Sequence, residues 1–199
     1  MMSGRSDSTV PLAVKIVVSG GLGAGKTTFI GTVSEIEPLG TEAAITQVSV
    51  GIDSLEGVES KTSTTVALDF GRIVLDPAIT LYLFGTPGQG RFSFLWDDLV
   101  EGALGTVVLV DTRRIEECFP ALDYFEAQGA PFVLAVNRFD GAERFEPEVV
   151  REALGLSAEV PLLECDARER GSVRDVLGAL MDRVVGFRAA EGRPAVGAR

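Results

Sequence analysis

The chain has 199 residues, of which 18 are lysine or arginine and 29 are aspartate or glutamate, so its formal net charge is −11. This balance excludes a general nucleic-acid binder and a protein that docks directly on an anionic membrane, because both need clustered basic residues. The chain contains no histidine, which excludes imidazole as a catalytic group or metal ligand.

The hydrophobic pattern predicts one domain over residues 12–189, between flexible tails at residues 1–11 and 190–199. Short apolar or β-branched runs predict six strands, at residues 12–19, 64–75, 78–84, 106–110, 131–136 and 160–163. Apolar residues at helical spacing predict about five helices, at residues 26–36, 92–100, 116–127, 148–154 and 173–184.

Buried strands that alternate with helices predict a three-layer α/β fold with a mostly parallel sheet. The second and third predicted strands are separated by the turn pair Asp76-Pro77, so they form a predicted hairpin that adds one antiparallel edge strand. The acidic segment 37–63 has no sustained period and is predicted to be a long, functional connection.

A glycine-rich segment at residues 20–27, GGLGAGKT, matches the pattern G-x-x-x-x-G-K-[ST] between the first predicted strand and helix. The glycines let backbone N–H groups surround phosphate oxygens at a helix N-terminus, which predicts a P-loop NTPase fold. Lys26 is expected to reach the β- and γ-phosphates, and the Thr27 hydroxyl to bind Mg²⁺. The predicted phosphate-binding residues are Gly20, Gly21, Gly23, Ala24, Gly25, Lys26, Thr27 and Thr28.

A P-loop alone leaves ATPases, nucleotide kinases and GTPases open, and the segment GTPGQ at residues 85–89 favours a GTPase. GTPases place D-x-x-G-Q at the end of this strand, where the glycine N–H meets the γ-phosphate and the glutamine orients the attacking water. Gly88 and Gln89 are in register for these roles, whereas Gly85 stands where the aspartate is expected. Lys26, Gly88 and Gln89 are therefore the predicted catalytic residues.

Two further segments indicate a guanine site. In NRFD at residues 137–140, which is similar to N-K-x-D, Asp140 is predicted to accept two N–H bonds from the guanine edge, while adenine would present an acceptor to it. Arg138 keeps a cation and a long stem that can lie over the base. Asp166, Ala167 and Arg168 follow the last strand, and the Ala167 N–H is the predicted donor to the guanine carbonyl. The predicted base-site residues are Asn137, Arg138, Asp140, Asp166, Ala167 and Arg168.

The remaining predicted metal ligands lie in the second predicted strand. Thr65 is the predicted switch threonine, with Thr64 as the second choice, because its hydroxyl would complete the Mg²⁺ shell when the γ-phosphate is present. Asp69 lies four residues further along and is proposed to replace the carboxylate that is missing at Gly85. The predicted metal ligands are Thr27, Thr65 and Asp69.

Over residues 12–189 the sequence resembles the Ras-like small GTPase superfamily, and within it the bacterial branch related to the MglA polarity GTPases. It is most similar to the actinobacterial conservon (CvnD-type) GTP-binding proteins. The strings that support this are TTVALDFGR at 64–72, LFGTPGQ at 83–89 and NRFD at 137–140. The resemblance implies a GTP/GDP switch that needs Mg²⁺, encoded beside a sensor-kinase-like membrane protein and a roadblock-domain (LC7-type) protein, which would be its partners.

One departure from that branch affects the rate of hydrolysis. MglA-like proteins place an arginine finger just before the switch threonine, where this chain has Thr64, and Arg91 is the substitute candidate. Weak intrinsic turnover is therefore expected, because such a cation contributes roughly 10³–10⁵ in rate. A nucleotide-binding scaffold that barely hydrolyses GTP is the alternative, and a P-loop ATPase or small kinase is a third.

The sequence also sets expectations about location. Cys118 and Cys165 form no CxxC pair and are expected to be buried, reduced thiols in a cytoplasmic protein. No apolar run has the ~20 residues of a membrane span and no lipidation motif is present, so a partner is expected to recruit the protein to any membrane. The protein is expected to be a monomer.

Overall fold

One seven-stranded sheet organises the residues that the computed structural model describes, which are 11–37, 39–46, 63–88, 90–190 and 192. The strands are β1 (Leu12–Gly20), β2 (Leu39–Thr46), β3 (Ser63–Asp76), β4 (Ile79–Gly85), β5 (Gly105–Val110), β6 (Phe132–Asn137) and β7 (Leu162–Cys165). The helices are α1 (Lys26–Val33), α2 (Trp96–Val100), α3 (Phe119–Gln128), α4 (Pro147–Ala153) and α5 (Arg170–Ala190).

The sheet order is β2-β3-β4-β1-β5-β6-β7. The pairs from β4 through β1, β5 and β6 to β7 are parallel, whereas β2 with β3 and β3 with β4 are antiparallel. This confirms the predicted three-layer fold, its mostly parallel sheet, its hairpin and its five helices.

The strand count needs one correction, because β2 lies within the segment that was predicted to be irregular. Glycine, glutamate and alanine in residues 39–46 give a weak strand pattern. This segment becomes a strand because it pairs along its whole length with the first half of β3, from Leu39 opposite Phe70 to Thr46 opposite Ser63.

Three predicted helix boundaries also change. Helix α1 ends at Val33 rather than at residue 36, and Ser34 has extended backbone angles there. The predicted helices at 92–100 and 116–127 each begin as a 3₁₀ segment, Gly90–Leu95 and Thr112–Cys118, before α2 and α3. In the second case Pro120 lies in the first turn of α3, where the N–H that proline lacks would have no partner within the helix. The α-helix therefore starts at Phe119 rather than at residue 116.

Side chains on the two faces of the sheet form two separate hydrophobic clusters. On one face Ile16 and Val18 pack against α1 and α5, and on the other Val17 and Val108 pack against α3 and α4. The predicted stripe on α5 is buried throughout, at Val173, Val176, Leu177, Leu180 and Val184.

This topology places the predicted site residues at one edge of the sheet. Gly20, Gly85 and Asn137 are the last residues of three strands that run in the same direction, and ligands of open α/β sheets bind at such carboxyl ends. No helix in the described part of the chain is long and apolar enough to span a membrane.

Candidate nucleotide-binding site

The loop between β1 and α1 adopts a conformation that its glycines require. Gly20, Gly23 and Gly25 have φ angles of 135°, 73° and 104°, in the region that only glycine enters readily. A Cβ atom on Gly25 would overlap the Asn137 side-chain amide. Residues 20–25 therefore wrap closely around a small space at the N-terminus of α1, as an anion cradle does.

Lys26 is the buried cation of this cradle. Its side chain is 8% exposed, and Nζ donates to the carbonyl oxygens of Gly20 (2.9 Å) and Gly21 (2.7 Å). Burial lowers the pKa of Lys26 to about 8, although the nearby carboxylates of Asp69 and Glu117 oppose this shift. Lys26 is thus pre-oriented toward the loop, and an anion that neutralises it would raise its pKa again.

The Thr27 hydroxyl donates to Asp69 Oδ2 at 2.8 Å, across a separation of 42 residues. A Cβ on Gly85 would lie 2.9 Å from Asp69 Cβ and 3.2 Å from Asp69 Oδ2. An aspartate at position 85 would therefore require Asp69 or the backbone near it to shift. Asp69 holds a carboxylate at the place from which residue 85 would otherwise supply one.

These oxygen donors fit a magnesium ion. Mg²⁺ in nucleotide sites is bound by one or two protein oxygens together with phosphate oxygens and water. Thr27 and Asp69 would supply such a pair of oxygens, beside a loop whose glycines fit phosphate. The described residues contain no cluster of three or more His, Cys, Asp or Glu side chains that could hold a metal ion without phosphate.

Gly88 closes the same cleft from the side of β4. A Cβ on Gly88 would lie 2.7 Å from Lys26 Nζ and 2.8 Å from the Leu22 Cα, so only glycine fits this close to the loop. Thr86, which precedes it, is buried and donates from its hydroxyl to Ser19 Oγ at 2.9 Å. The cleft between the loop, Asp69 and Gly88 has a volume of about 290 Å³.

Asn137 ties the loop to the end of β6 and the segment after β7. Its Nδ2 donates to the Ala24 carbonyl (2.9 Å), and its Oδ1 accepts from the Ala167 N–H (3.0 Å). The side chain is only 6% exposed, so both bonds are shielded from water. The Ala167 N–H was predicted to reach a guanine carbonyl, but here it donates to Asn137.

Asp140 and Arg168 face each other across a neighbouring cleft of about 310 Å³. Arg168 Nη1 donates to Asp140 Oδ2 at 2.8 Å, and its other nitrogen atoms donate to both Asp166 oxygens. These hydrogen bonds from Arg168 lower the pKa of Asp140, and they lower the pKa of Asp166 to about 2. Arg138 forms an ion pair with Glu164 at the rim of the same cleft.

The structure does not bring every predicted residue to the cleft. Thr65 lies in β3 four residues before Asp69, so its Cα is about 13 Å further along the strand, at 3.3 Å per residue. The side chains of Thr64, Thr65 and Arg91 and the whole of Gln89 lie outside the described part of the chain. The roles predicted for these four residues therefore stay predictions.

Two residues that the sequence did not single out contact the loop from its outer side. Arg114 Nη2 donates to the Leu22 carbonyl at 2.7 Å and to Asp111 Oδ2 at 3.3 Å. A Cβ on Gly21 would lie 2.8 Å from the Glu117 carboxylate, which forms an ion pair with Arg114. These contacts join segments about 90 residues apart in sequence, and no local motif signals them.

Solved structures with the same architecture are G domains. The chain is similar to the FeoB G domain of Methanococcus jannaschii, with a TM-score of 0.58 and 16% identity over 87% of this chain and 98% of that one. A second similar structure is that of an S. thermophilus NFeoB mutant bound to GDP, with a TM-score of 0.59 and 16% identity over 87% of this chain and 64% of that one. The chain thus has a G-domain-like P-loop NTPase fold.

Sequence comparisons identify the family. The family model described as "conserved hypothetical ATP binding protein" matches residues 18–187, and the chain belongs to this family. An uncharacterized protein of Methanocaldococcus jannaschii is 30% identical over 132 residues, which are 64% of this chain and 71% of that protein. Human Ras-related protein Rab-7b is 25% identical over 139 residues, 64% of this chain and 69% of that protein.

Proposed function

We propose that the protein is a GTP-binding molecular switch that hydrolyses GTP to GDP slowly unless a partner assists. The observation that supports this best is the arrangement at the end of β6, where Asn137 joins the P-loop to the segment after β7 and Asp140 borders the adjacent cleft. The similarity to Rab-7b and to an NFeoB structure bound to GDP points in the same direction.

The choice of guanine rests on the chemistry of Asp140. An ionised carboxylate accepts hydrogen bonds, and guanine offers two adjacent N–H donors on the edge where adenine offers an acceptor. A carboxylate has about four acceptor sites, and the Arg168 contact uses one of them, so Asp140 can still receive both donors. The lowered pKa of Asp140 keeps it ionised at neutral pH.

The family description names ATP, so ATP binding is the second candidate. A direct comparison decides between them: we expect GTP and GDP to bind at least about a hundredfold more tightly than ATP, the difference of about 3 kcal/mol that an unmatched charged acceptor costs. In Asp140→Asn the amide offers an N–H to the base, so affinity should fall for GTP and rise for xanthosine triphosphate. Equal binding of ATP and GTP by the wild type would refute the guanine assignment.

Hydrolysis is tested separately. We expect slow single-turnover hydrolysis that becomes slower still in Gln89→Leu, because Gln89 would orient the attacking water. An identical rate in both proteins would favour the alternative, a nucleotide-binding scaffold. Turnover of several GTP per second by the isolated protein would contradict the expectation that a partner supplies a missing cation.

We further propose, from the resemblance to the MglA-related branch and the conservon GTP-binding proteins, that the switch works in a bacterial signalling system. Its partners would be a roadblock-domain protein and a sensor-kinase-like membrane protein, and the second would recruit it to the membrane. Co-purification of this chain with each candidate, in the GDP state and with a non-hydrolysable GTP analogue, tests the pairing.

The Mg²⁺ ion would be held by Thr27 and Asp69.

A further inference from the structure

The helical layer that covers β1, β3 and β4 is incomplete. Helices α1 and α5 both follow strand ends at the edge where the P-loop lies, but α1 has eight residues and α5 has 21. At 1.5 Å per residue, α5 therefore extends about 20 Å beyond the end of α1. Next to this part of α5, the sheet face has no second helix among the described residues.

A groove occupies that place. Two adjoining hollows of about 360 Å³ each run between α5 and the β3–β4 hairpin, and they share Leu75, Leu81 and Met181. Four large apolar side chains beside the groove are exposed, Leu12 by 36%, Val74 by 43%, Leu75 by 55% and Val185 by 61%. Contiguous exposed apolar surface of this kind marks an interaction site.

Basic side chains line the groove, although the chain is acidic overall. Arg170 and Arg174 lie at one end of it and Arg188 at the other. Within the described residues, no ion pair involves any of these three arginines. Glu35 is the one acidic lining residue in the described part of the chain, and its carboxylate accepts from the Val74 N–H at 3.2 Å.

The walls restrict which kind of segment can bind. Strand β4 is paired on both sides, and on the outer side of β3 the Arg72 N–H donates to Ser34 Oγ and the Val74 N–H to the Glu35 carboxylate, so these two strands offer no free edge to an extended peptide. No aromatic ring lines either hollow among the described residues, which argues against a polyproline segment. An amphipathic helix remains, because it would pack alongside α5 and continue the layer that α1 begins.

We propose that this groove binds an amphipathic helix of about 13 residues from a partner protein, with an aliphatic stripe and acidic flanking residues. The aliphatic stripe would cover Leu75 and Val185, and the acidic flanks would pair with Arg174 and Arg188. The terminal segments of this chain lack that chemistry: residues 1–10 contain one arginine and one aspartate, and residues 193–199 contain two arginines and no acid.

The hollow beside Leu12 and Val185 lies at the amino end of β1, about 26 Å along the strand from the P-loop, and the other hollow extends to Arg170 at the start of α5. Neither hollow shares a lining residue with the two clefts of the nucleotide site. A helix bound there would leave the nucleotide cleft open. We therefore expect equal affinity in the GDP state and in the state with a non-hydrolysable GTP analogue. The site would serve as a constant attachment point, and its test does not depend on whether GTP is hydrolysed.

The test uses the full chain and three labelled helical peptides of about 14 residues. The first peptide has a leucine stripe flanked by glutamates, the second has the same stripe flanked by lysines, and the third has serines in place of the leucines. Fluorescence anisotropy should give saturable, micromolar binding for the glutamate peptide alone. Val185→Asp should weaken binding by at least about tenfold, whereas Val149→Asp, at another exposed valine on α4, should change it less than twofold. The double variant R174E/R188E should prefer the lysine peptide.

Several results would overturn the proposal. These are the absence of saturable binding, equal binding of the two charged peptides, or equal effects of V185D and V149D. Co-sedimentation with vesicles of phosphatidylserine and phosphatidylcholine that V185D abolishes would identify a membrane as the occupant instead. If the protein dimerises with increasing concentration and V185D abolishes this, the occupant of the groove is a second copy of the chain. If deletion of residues 1–10 raises the affinity for the peptide, the occupant is that segment of the chain itself.

Discussion

Replacing Asp69 with asparagine tests the metal site most directly. The substitution keeps the shape of the side chain and an oxygen within reach of the Thr27 hydroxyl, but it removes the negative charge. A hydrogen bond to a charged group contributes about 1.5–3 kcal/mol and a neutral one about 0.5–1.5 kcal/mol, so the middle values of the two ranges differ by about 1 kcal/mol. Attraction to a divalent cation adds to this difference, because the carboxylate would lie beside it.

We therefore expect Asp69→Asn to need at least about tenfold more Mg²⁺ for half-maximal GTP binding. The assay titrates Mg²⁺ against a fluorescent GTP analogue at fixed protein concentration. Asp76→Asn is the matched control, since Asp76 is at the far end of the same strand and, among the described residues, its side chain accepts only from the Ala78 N–H. An unchanged Mg²⁺ midpoint in Asp69→Asn would refute the assignment of Asp69.

An exchange variant makes the reasoning stricter. Gly85→Asp alone should destabilise the fold by about 1–3 kcal/mol, because its Cβ would lie 2.9 Å from Asp69 Cβ. D69G/G85D removes that overlap and returns the carboxylate to the end of β4. If the two positions supply the same charge, the exchange variant should recover most of the Mg²⁺ dependence. A folded exchange variant that behaves like D69N would show that position matters and charge alone does not.

Three further predictions concern Lys26, Asn137 and Trp96. The pKa of Lys26 is about 8, and phosphate favours its charged form. GTP affinity should therefore fall by up to about tenfold per pH unit above pH 8, and calorimetry should show proton uptake on binding. Constant GTP affinity up to about pH 9.5 would contradict this prediction. Asn137→Ala leaves a buried donor and a buried acceptor unpaired, so it should lower the free energy of unfolding by about 2–5 kcal/mol in thermal or urea denaturation. Trp96, the only tryptophan, packs edge-on against Tyr124 at 5.2 Å directly after the 3₁₀ segment Gly90–Leu95. Its emission should differ between the GDP and GTP-analogue states, and identical spectra would mean that this segment does not reorder.

The sequence was sufficient where the chemistry is local. The P-loop, the strand before it and the helix after it are adjacent in the chain, so spacing alone predicted the arrangement of Lys26 and Thr27. The partnership of Asp69 with the end of β4 was also accessible, because a hairpin brings two neighbouring strands into register. The buried stripe of α5 followed from its periodicity.

Other features depend on contacts between distant segments, and these could not be predicted. The hydrogen bond from Arg114 to the Leu22 carbonyl joins residues 92 apart in the chain. The double role of Asn137 was missed because the motif indicates the base, whereas its amide is bound to Ala24 and Ala167. Strand β2 has weak intrinsic strand propensity, and its pairing with β3 determines its structure.

The pairing of β3 limits where a nucleotide-dependent change can occur. Residues 70–76 of β3 pair with β4, while residues 63–69 pair only with β2 among the described strands. Asp69 lies at this junction, and the Cα of Thr65 is roughly 13 Å further along the strand. Thr65 would therefore have to leave this position in β3 to bind the proposed metal ion. We expect hydrogen exchange at residues 39–46 and 63–69 to slow when a GTP analogue and Mg²⁺ replace GDP, while exchange at residues 70–76 stays constant, because only the first set must reorder. Since Val74 and Leu75 belong to the half that is expected to stay constant, we expect the groove beside α5 to keep its shape in both states. A nucleotide-dependent change in exchange at residues 70–76 would link the two sites and contradict the equal affinities expected for the helical peptide.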